Sequence, residues 1–271
     1  MTPTASAIAA CCAGLYGHPI VELIAGQSLH PGGLATTRRL LGEARLSPGA
    51  RLLDAGCGLG ASARLAAIEF ELRVDACDVS ASALSRAATL AESAGAGIDF
   101  RTASVLDLPY PRGAFAGVLA ECVLSTTSRT DGLAELRRVT ADGGVLLLSD
   151  VTATETVGVP EPLAGVMCLT GAWRPGELDE VLGSAGYRIE RGWDETDGVS
   201  SLLDRLEGRI SLLGAVARDT GTLERLGDFG DFGDGFDQIG DRARVDGMFQ
   251  GIRQMLREGR IGYRAVVARA I

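Results

Sequence analysis

The stretch Arg51-Leu-Leu-Asp-Ala-Gly-Cys-Gly-Leu-Gly60 constrains the fold more than any other. Apolar residues run into an acid, and glycines then fall at 56, 58 and 60. A helical run, Ala61 to Phe70, follows at once. This order reads as a buried strand, a tight glycine turn and a helix N-terminus. Glycine lets the backbone turn sharply and lets a ligand approach the main chain. Free N–H groups at a helix start favour a polar or anionic ligand group. The spacing is Asp-x-Gly-x-Gly-x-Gly, which differs from the G-x-G-x-x-G of dinucleotide folds.

The flanking chain alternates strand and helix. Leu72 to Asp78 reads as a second strand, ending in an acid 18 residues past Gly60. In nucleotide-type α/β folds an acid there takes ribose hydroxyls; the bland reading is an exposed turn residue. Ser80 is placed to cap a helix over Ala81–Ser93. Strands follow at Ile98–Ala103, Phe115–Ala120 and Val145–Ser149, with a helix over Asp131–Val139. Ala141-Asp-Gly-Gly144 reads as that helix's stop and turn. Such alternation calls for a doubly wound parallel sheet covered on both faces.

Upstream, Gly33–Leu46 reads as a helix with Leu34, Leu41 and Ala44 on one face and Arg38 and Arg39 outward. Downstream, a helix over Glu177–Ala185 leads to a strand over Tyr187–Trp193, and Gly262–Ala268 reads as the last strand. Leu203, Leu206, Ile210 and Leu213 mark an amphipathic helix between them. Asp228 to Gly235 repeats a Gly/Asp/Phe unit without EF-hand spacing, so it reads as an acidic loop. The expected organisation is a helical lid over 1–46, a core over 47–196, a helical insert over 197–258 and a final core strand over 259–271.

Composition narrows the partners. The chain of 271 residues has a formal net charge of -9 and a pI near 4.9. An acidic chain without a basic cluster argues against nucleic acid. No apolar run reaches the ~18 residues of a membrane span, and the N-terminus lacks the positive region of a signal peptide. These features point to a cytoplasmic protein, a monomer or homodimer, acting on a small molecule. The six cysteines are then thiols or metalloid ligands more readily than disulfides.

The chain resembles class I methyltransferases that use S-adenosylmethionine (SAM). The resemblance is carried by Leu53–Gly60, Asp78, Ser104-Val-Leu-Asp-Leu-Pro-Tyr110 and Leu136–Asp150, and spans roughly residues 30–195 plus the last strand. It implies a Rossmann-like sheet with helices on both faces. It implies that Asp54, Ala55, Gly56, Gly58 and Gly60 cradle the methionine end of SAM, with Asp54 taking its amino group. Asp78 and Val79 would hold the ribose, Ser104 and Val105 the adenine, and Glu121 would lie beside the methyl donor or the amino group. Relatives often carry Asp where Ser104 stands.

A narrower resemblance concerns soft acceptors. Glu121-Cys-Val-Leu-Ser125 and Cys168-Leu-Thr-Gly-Ala172 are similar to segments of arsenite methyltransferases. It implies that Cys122 and Cys168 are ligands for trivalent arsenic, with Cys11 or Cys12 as a third; no resident metal is expected. The plainer reading makes Cys122 and Cys168 small buried hydrophobes. Cys57 and Cys77 read as packing residues.

Methyl transfer from a sulfonium needs positioning and exclusion of water. A thiolate or thiolate-bound arsenic acceptor needs no strong base. An oxygen, nitrogen or carbon acceptor does, and the candidates are His18, His30 and Glu121. The expectation is a methyltransferase of a small molecule, with a soft thiol or metalloid favoured. The alternatives are an O-, N- or C-methyltransferase of a metabolite and a binder of SAM or S-adenosylhomocysteine (SAH) without catalysis.

Overall fold

The computed structural model describes residues 26, 28, 30–155, 168–220 and 242–271. His18, Cys11, Cys12 and the Gly/Asp/Phe repeat lie outside the described residues, as does most of the expected lid.

The sheet is built on β1 (Arg51–Ala55), β2 (Arg73–Asp78), β3 (Ile98–Thr102), β4 (Phe115–Glu121), β5 (Thr140–Ala153), β6 (Tyr187–Asp194) and β7 (Ile261–Ala270). Its order is β3-β2-β1-β4-β5-β7-β6. Strands β1 to β5 pair in parallel, as the βα alternation requires. β7 runs antiparallel between β5 and β6, so the sheet is mixed.

Helices cover both faces. They are α1 (Gly33–Ala44), α2 (Ala61–Glu69), α3 (Ala81–Ser93), α4 (Arg129–Val139), α5 (Glu177–Ser184), α6 (Thr196–Thr220) and α7 (Arg242–Arg257). Adjacent strand residues point to opposite faces, and the core divides accordingly. Leu53, Leu146 and Val266 join one apolar cluster with Trp173, while Leu52, Leu147 and Val267 join the other with Leu40 and Leu41. A third cluster, with Leu202, Leu206, Phe249 and Tyr263, seats α6 and α7 on the C-terminal end of the sheet. Ser80 caps α3, its Oγ accepting from Ala83 N at 3.2 Å.

Four readings change. Leu34 is exposed, and α1 buries Thr36, Thr37, Leu40, Leu41 and Ala44 instead. Two threonines therefore stand where an apolar face was expected, and one of them, Thr37, has a polar partner described below. Ala141–Gly144 is no turn between elements. It lies inside β5 as an irregularity opposite Phe115–Gly117. Helix α4 starts two residues earlier, at Arg129. The insert holds a second helix, α7, whose pattern was not singled out.

Candidate active site

The C-terminal ends of β1, β2 and β4 open onto one cavity, the location expected for α/β ligands. Its wall includes Asp54, Gly56, Gly58, Ser62, Asp78, Val79, Ser104, Val105, Glu121 and Cys122, together with Ser28 and His30.

The glycine turn is held from outside. Gly56 N and Cys57 N both donate to Cys77 O, at 2.8 and 2.9 Å, locking the turn to the end of β2. Gly56 has φ 75°, and a Cβ on it would lie 2.5 Å from Val123 Cγ2. Gly58 also has a positive φ, 51°. A Cβ there would meet nothing within 4 Å, because it faces the open cavity. These two glycines have different reasons: one admits the neighbouring chain, the other leaves room for a ligand. Asp78 braces the turn, its Oδ2 accepting from Gly58 N and its Oδ1 from Ser80 N, each at 2.9 Å.

Three carboxylates share the cavity. Asp54 is almost wholly buried, and its Oδ2 has no hydrogen-bond partner. Burial, and then the charges of Glu121 and Asp78, push its pKa well above the ordinary value. Burial also raises Asp78, partly offset by N–H donors from Ser80, Gly58 and Val79. An orphaned buried carboxylate among like charges is costly in isolation. A ligand carrying positive charge beside Asp54 removes that cost.

Glu121 ends β4 with only 5 % of its side chain exposed. Thr37 Oγ1 donates to its Oε2 at 3.0 Å and Ser62 Oγ at 2.7 Å. His30 Nε2 stands 3.3 Å from the same oxygen. His30 Nδ1 lies 3.2 Å from Pro31 O, and a carbonyl only accepts, so Nδ1 carries a hydrogen. Nε2 is thus the nitrogen that faces Glu121. Thr37 and Ser62 carry no motif that marks them as donors to Glu121.

Not every expected residue reaches the wall. Ala55 is fully buried in the core. Gly60 is the left-handed residue that starts α2. Cys168 is buried behind Cys122, its Sγ 3.9 Å from Cys122 O. Cys57, read as packing, does pack against the core and also lines the cavity, and Cys77 is buried. Cys122 Sγ lies 3.5 Å from Tyr263 Oη, and burial pushes its thiol well above the ordinary value. Both Cys122 and Cys168 sit at positive φ, 55° and 56°, in a region that L residues rarely occupy.

Comparison with known proteins agrees with this geometry. Residues 52–144 match the Methyltransf_25 family, described as a methyltransferase domain. An uncharacterised methyltransferase of Bacillus subtilis, YodH, is 33% identical over 129 residues, which is 47% of this chain and 54% of YodH. An O-methyltransferase of Pyrenophora dematioidea is 27% identical over 168 residues, covering 58% of this chain and 62% of that one. The chain thus spans little more than half the length of these relatives. The crystal structure of the cyclase SpnF superposes with TM-score 0.72 at 22% identity, covering 100% of this chain and 97% of that one. Among the described residues no helix is long and apolar enough to cross a membrane. Residues 52–144 thus resemble a methyltransferase domain, and they are set in a mixed seven-stranded Rossmann-like sheet.

Proposed function

We propose that the protein transfers a methyl group from SAM to an oxygen or nitrogen of a small molecule. The observation that carries this reading is the acidic cavity at the glycine turn, where Asp54 Oδ2 is buried without a partner. SAM brings a sulfonium and an ammonium, two positive charges for an otherwise unfavourable cluster of acids. Asp54 takes the ammonium. Gly58, bare towards the cavity, lets the methionine portion lie against the main chain. Asp78 accepts from the ribose hydroxyls with lone pairs left free by Gly58 and Ser80. Val79, Ser104 and Val105 form the adenine slot.

When bound, SAM would supply an activated methyl group. The protein positions the acceptor and receives its proton. Glu121 and His30 do this together: Thr37 and Ser62 hold the carboxylate, and the acceptor's proton settles between Oε2 and Nε2. A base held this way is worth about 10²-fold or more in rate.

A second reading rests on Cys122, on the cavity wall, and Cys168, buried behind it with its Sγ 3.9 Å from Cys122 O. A soft acceptor, including trivalent arsenic, would bind there through thiolates. The raised Cys122 thiol weighs against it, since a thiol is a poorer ligand than a thiolate. The fold is also that of a cyclase, so catalysis must be measured alongside binding.

SAM binding and SAH release decide among these readings, with a catechol, an amine, a simple thiol and arsenite plus thiol tested side by side. The expected result is SAM binding, turnover with the catechol or amine, and a loss of at least about 10²-fold in kcat for Glu121→Gln with SAM affinity kept. Turnover with arsenite that vanishes in Cys122→Ser would install the soft-acceptor reading. SAM binding without turnover on any acceptor would make the protein a binder.

A further inference from the structure

Glu121 is held from two sides. On one, Thr37, Ser62 and His30 gather at Oε2. On the other lies a row of side chains from the sheet itself. Glu121 of β4 stands opposite Ser149 of β5, and Val151, two residues on, stands opposite Tyr263 of β7. Residues two apart on a strand share a face. Glu121, Ser149 and Tyr263 therefore lie in one diagonal row across three neighbouring strands. Ser149 and Tyr263 are fully buried. Tyr263 Oη donates to Ser149 Oγ at 2.8 Å, and Ser149 Oγ donates to Glu121 Oε1 at 3.5 Å. Each hydroxyl has one hydrogen, and both hydrogens point along the row towards the carboxylate.

Cys122 joins this row through its backbone. Successive residues of an extended strand point to opposite faces, yet Cys122 follows Glu121 and its Sγ lies 3.5 Å from Tyr263 Oη. The chain has left the extended form there, with φ 55° at Cys122, while Cys122 N still donates to Ser149 O at 2.8 Å. A non-glycine residue keeps such a conformation only where its surroundings over-determine it. With the phenol hydrogen given to Ser149, Tyr263 Oη is left to accept from the Cys122 thiol. Burial, with the charges of Cys122 and Glu121 beside it, pushes the Tyr263 phenol well above its ordinary value, so it remains a donor. The donors thus run Cys122, Tyr263, Ser149, Glu121, and the two ends of that run line the cavity.

We propose that Tyr263 and Ser149 are positioning residues for methyl transfer: they fix the Glu121 carboxylate at Oε1 and so keep Oε2, beside His30, in place to receive the acceptor's proton. This rests on the reading of Glu121 as proton acceptor. The last torsion of a glutamate has no sharp staggered wells, so hydrogen bonds must set the plane of the carboxylate. Thr37 Oγ1 also reaches Oε1, at 3.2 Å, but shares its one hydrogen with Oε2 at 3.0 Å. Ser149 donates to Oε1 alone, and Tyr263 turns the Ser149 hydroxyl that way by occupying its lone pair. Both residues act through Glu121, on the rate of the chemical step and not on binding.

The test pairs infrared difference spectra with kinetics, on the full chain. Carboxylate bands lost in Glu121→Gln identify Glu121. Without ligand, those bands should shift in Tyr263→Phe and in Ser149→Ala and stay in place in Tyr187→Phe. Tyr187 is a similarly buried phenol whose partner is Thr140, at 3.0 Å, so it controls for the loss of a buried hydroxyl. With a catechol or an amine as acceptor, kcat should fall about tenfold in Tyr263→Phe and in Ser149→Ala, with acceptor KM and SAH affinity kept. The double variant should be no worse than Ser149→Ala, because the two residues act in series. Retained SAH affinity shows that each variant is folded. Glu121 bands that stay in place, or a kcat no lower than that of Tyr187→Phe, would overturn the proposal. A wild type that binds SAH but turns over neither acceptor would instead sink the methyl-transfer reading, and the bands would still decide whether Tyr263 and Ser149 hold Glu121.

Discussion

Asp54 shows how a single side chain is set against the stability of the empty protein. Its folded pKa is raised by burial and by Glu121 and Asp78. Between the ordinary value of 3.8 and that raised value, the folded protein binds more protons than the unfolded chain. Stability of the ligand-free protein therefore falls as pH rises from about 4 towards the folded value. Asp54→Asn removes the buried charge and with it that slope. At pH 7 the ligand-free variant should be more stable by about 1–2 kcal/mol, and its Tm should vary less between pH 5 and 7. Its SAM affinity should drop by at least about tenfold, the loss of one ion-paired contact. Thermal melts across pH, paired with calorimetric titration of SAM, check both. A variant with lower Tm and unchanged SAM affinity would mean that Asp54 serves the fold alone.

Between elements, the acceptor side of the cavity depends on another buried acid. Asp150, near the end of β5, is fully buried. Its carboxylate accepts from Ser125 N at 2.9 Å, Trp173 Nε1 at 3.1 Å and Val151 N at 2.9 Å. It thereby ties the 3₁₀ turn Leu124–Thr126 to the 3₁₀ turn Leu169–Gly171 and the Trp173 beyond it. The two turns are so close that a Cβ on Gly171 would lie 1.7 Å from Ser125 O. Cys122, Val123, Thr126 and Thr127, all on the cavity wall, are positioned by this tie. Asp150→Ala orphans two buried N–H donors from separate segments. The expected cost is about 3–5 kcal/mol, a fall of roughly 10 °C in Tm. Chemical denaturation measures it, and a cost below about 1 kcal/mol would show that the turns hold each other without Asp150.

Across the whole molecule, β7 joins what the βα alternation alone leaves open. It pairs with β5 from Val145↔Arg269 to Ala153↔Ile261, and with β6 on its other edge. Ala265, Val266, Val267 and Ala268 are all at most 1 % exposed. A chain ending at residue 258 would leave β5 and β6 as two open edges over an unfilled core. It should lose cooperative melting and near-UV circular dichroism and should not bind SAM. A truncated chain with an intact melting transition would show that the parallel half of the sheet, β1 to β5, stands by itself.

Much of the fold was legible because its cues are local. A strand that ends in Asp-x-Gly-x-Gly-x-Gly has few ways to proceed, and Ser80, placed one residue ahead of a helix, needs no distant partner to cap it. Asp54, Asp78 and Glu121 were legible as cavity residues for the same reason, since each ends a recognisable strand. What stayed hidden depends on chain segments far apart. Thr37 and Ser62 donate to Glu121 across 84 and 59 residues, and nothing near either residue announces it. Periodicity puts Leu34 on the buried face of α1, but Thr36 and Thr37 are buried there instead, and Thr37 meets the Glu121 carboxylate. The direction of β7 is likewise an outcome of packing. The sequence by itself determined a glycine-turn α/β core and the acids at its strand ends, through backbone geometry that acts within a few residues. Only the tertiary structure decided which hydroxyls and which imidazole face the cavity and Glu121, because burial and pairing are settled between elements that meet only once the chain is folded.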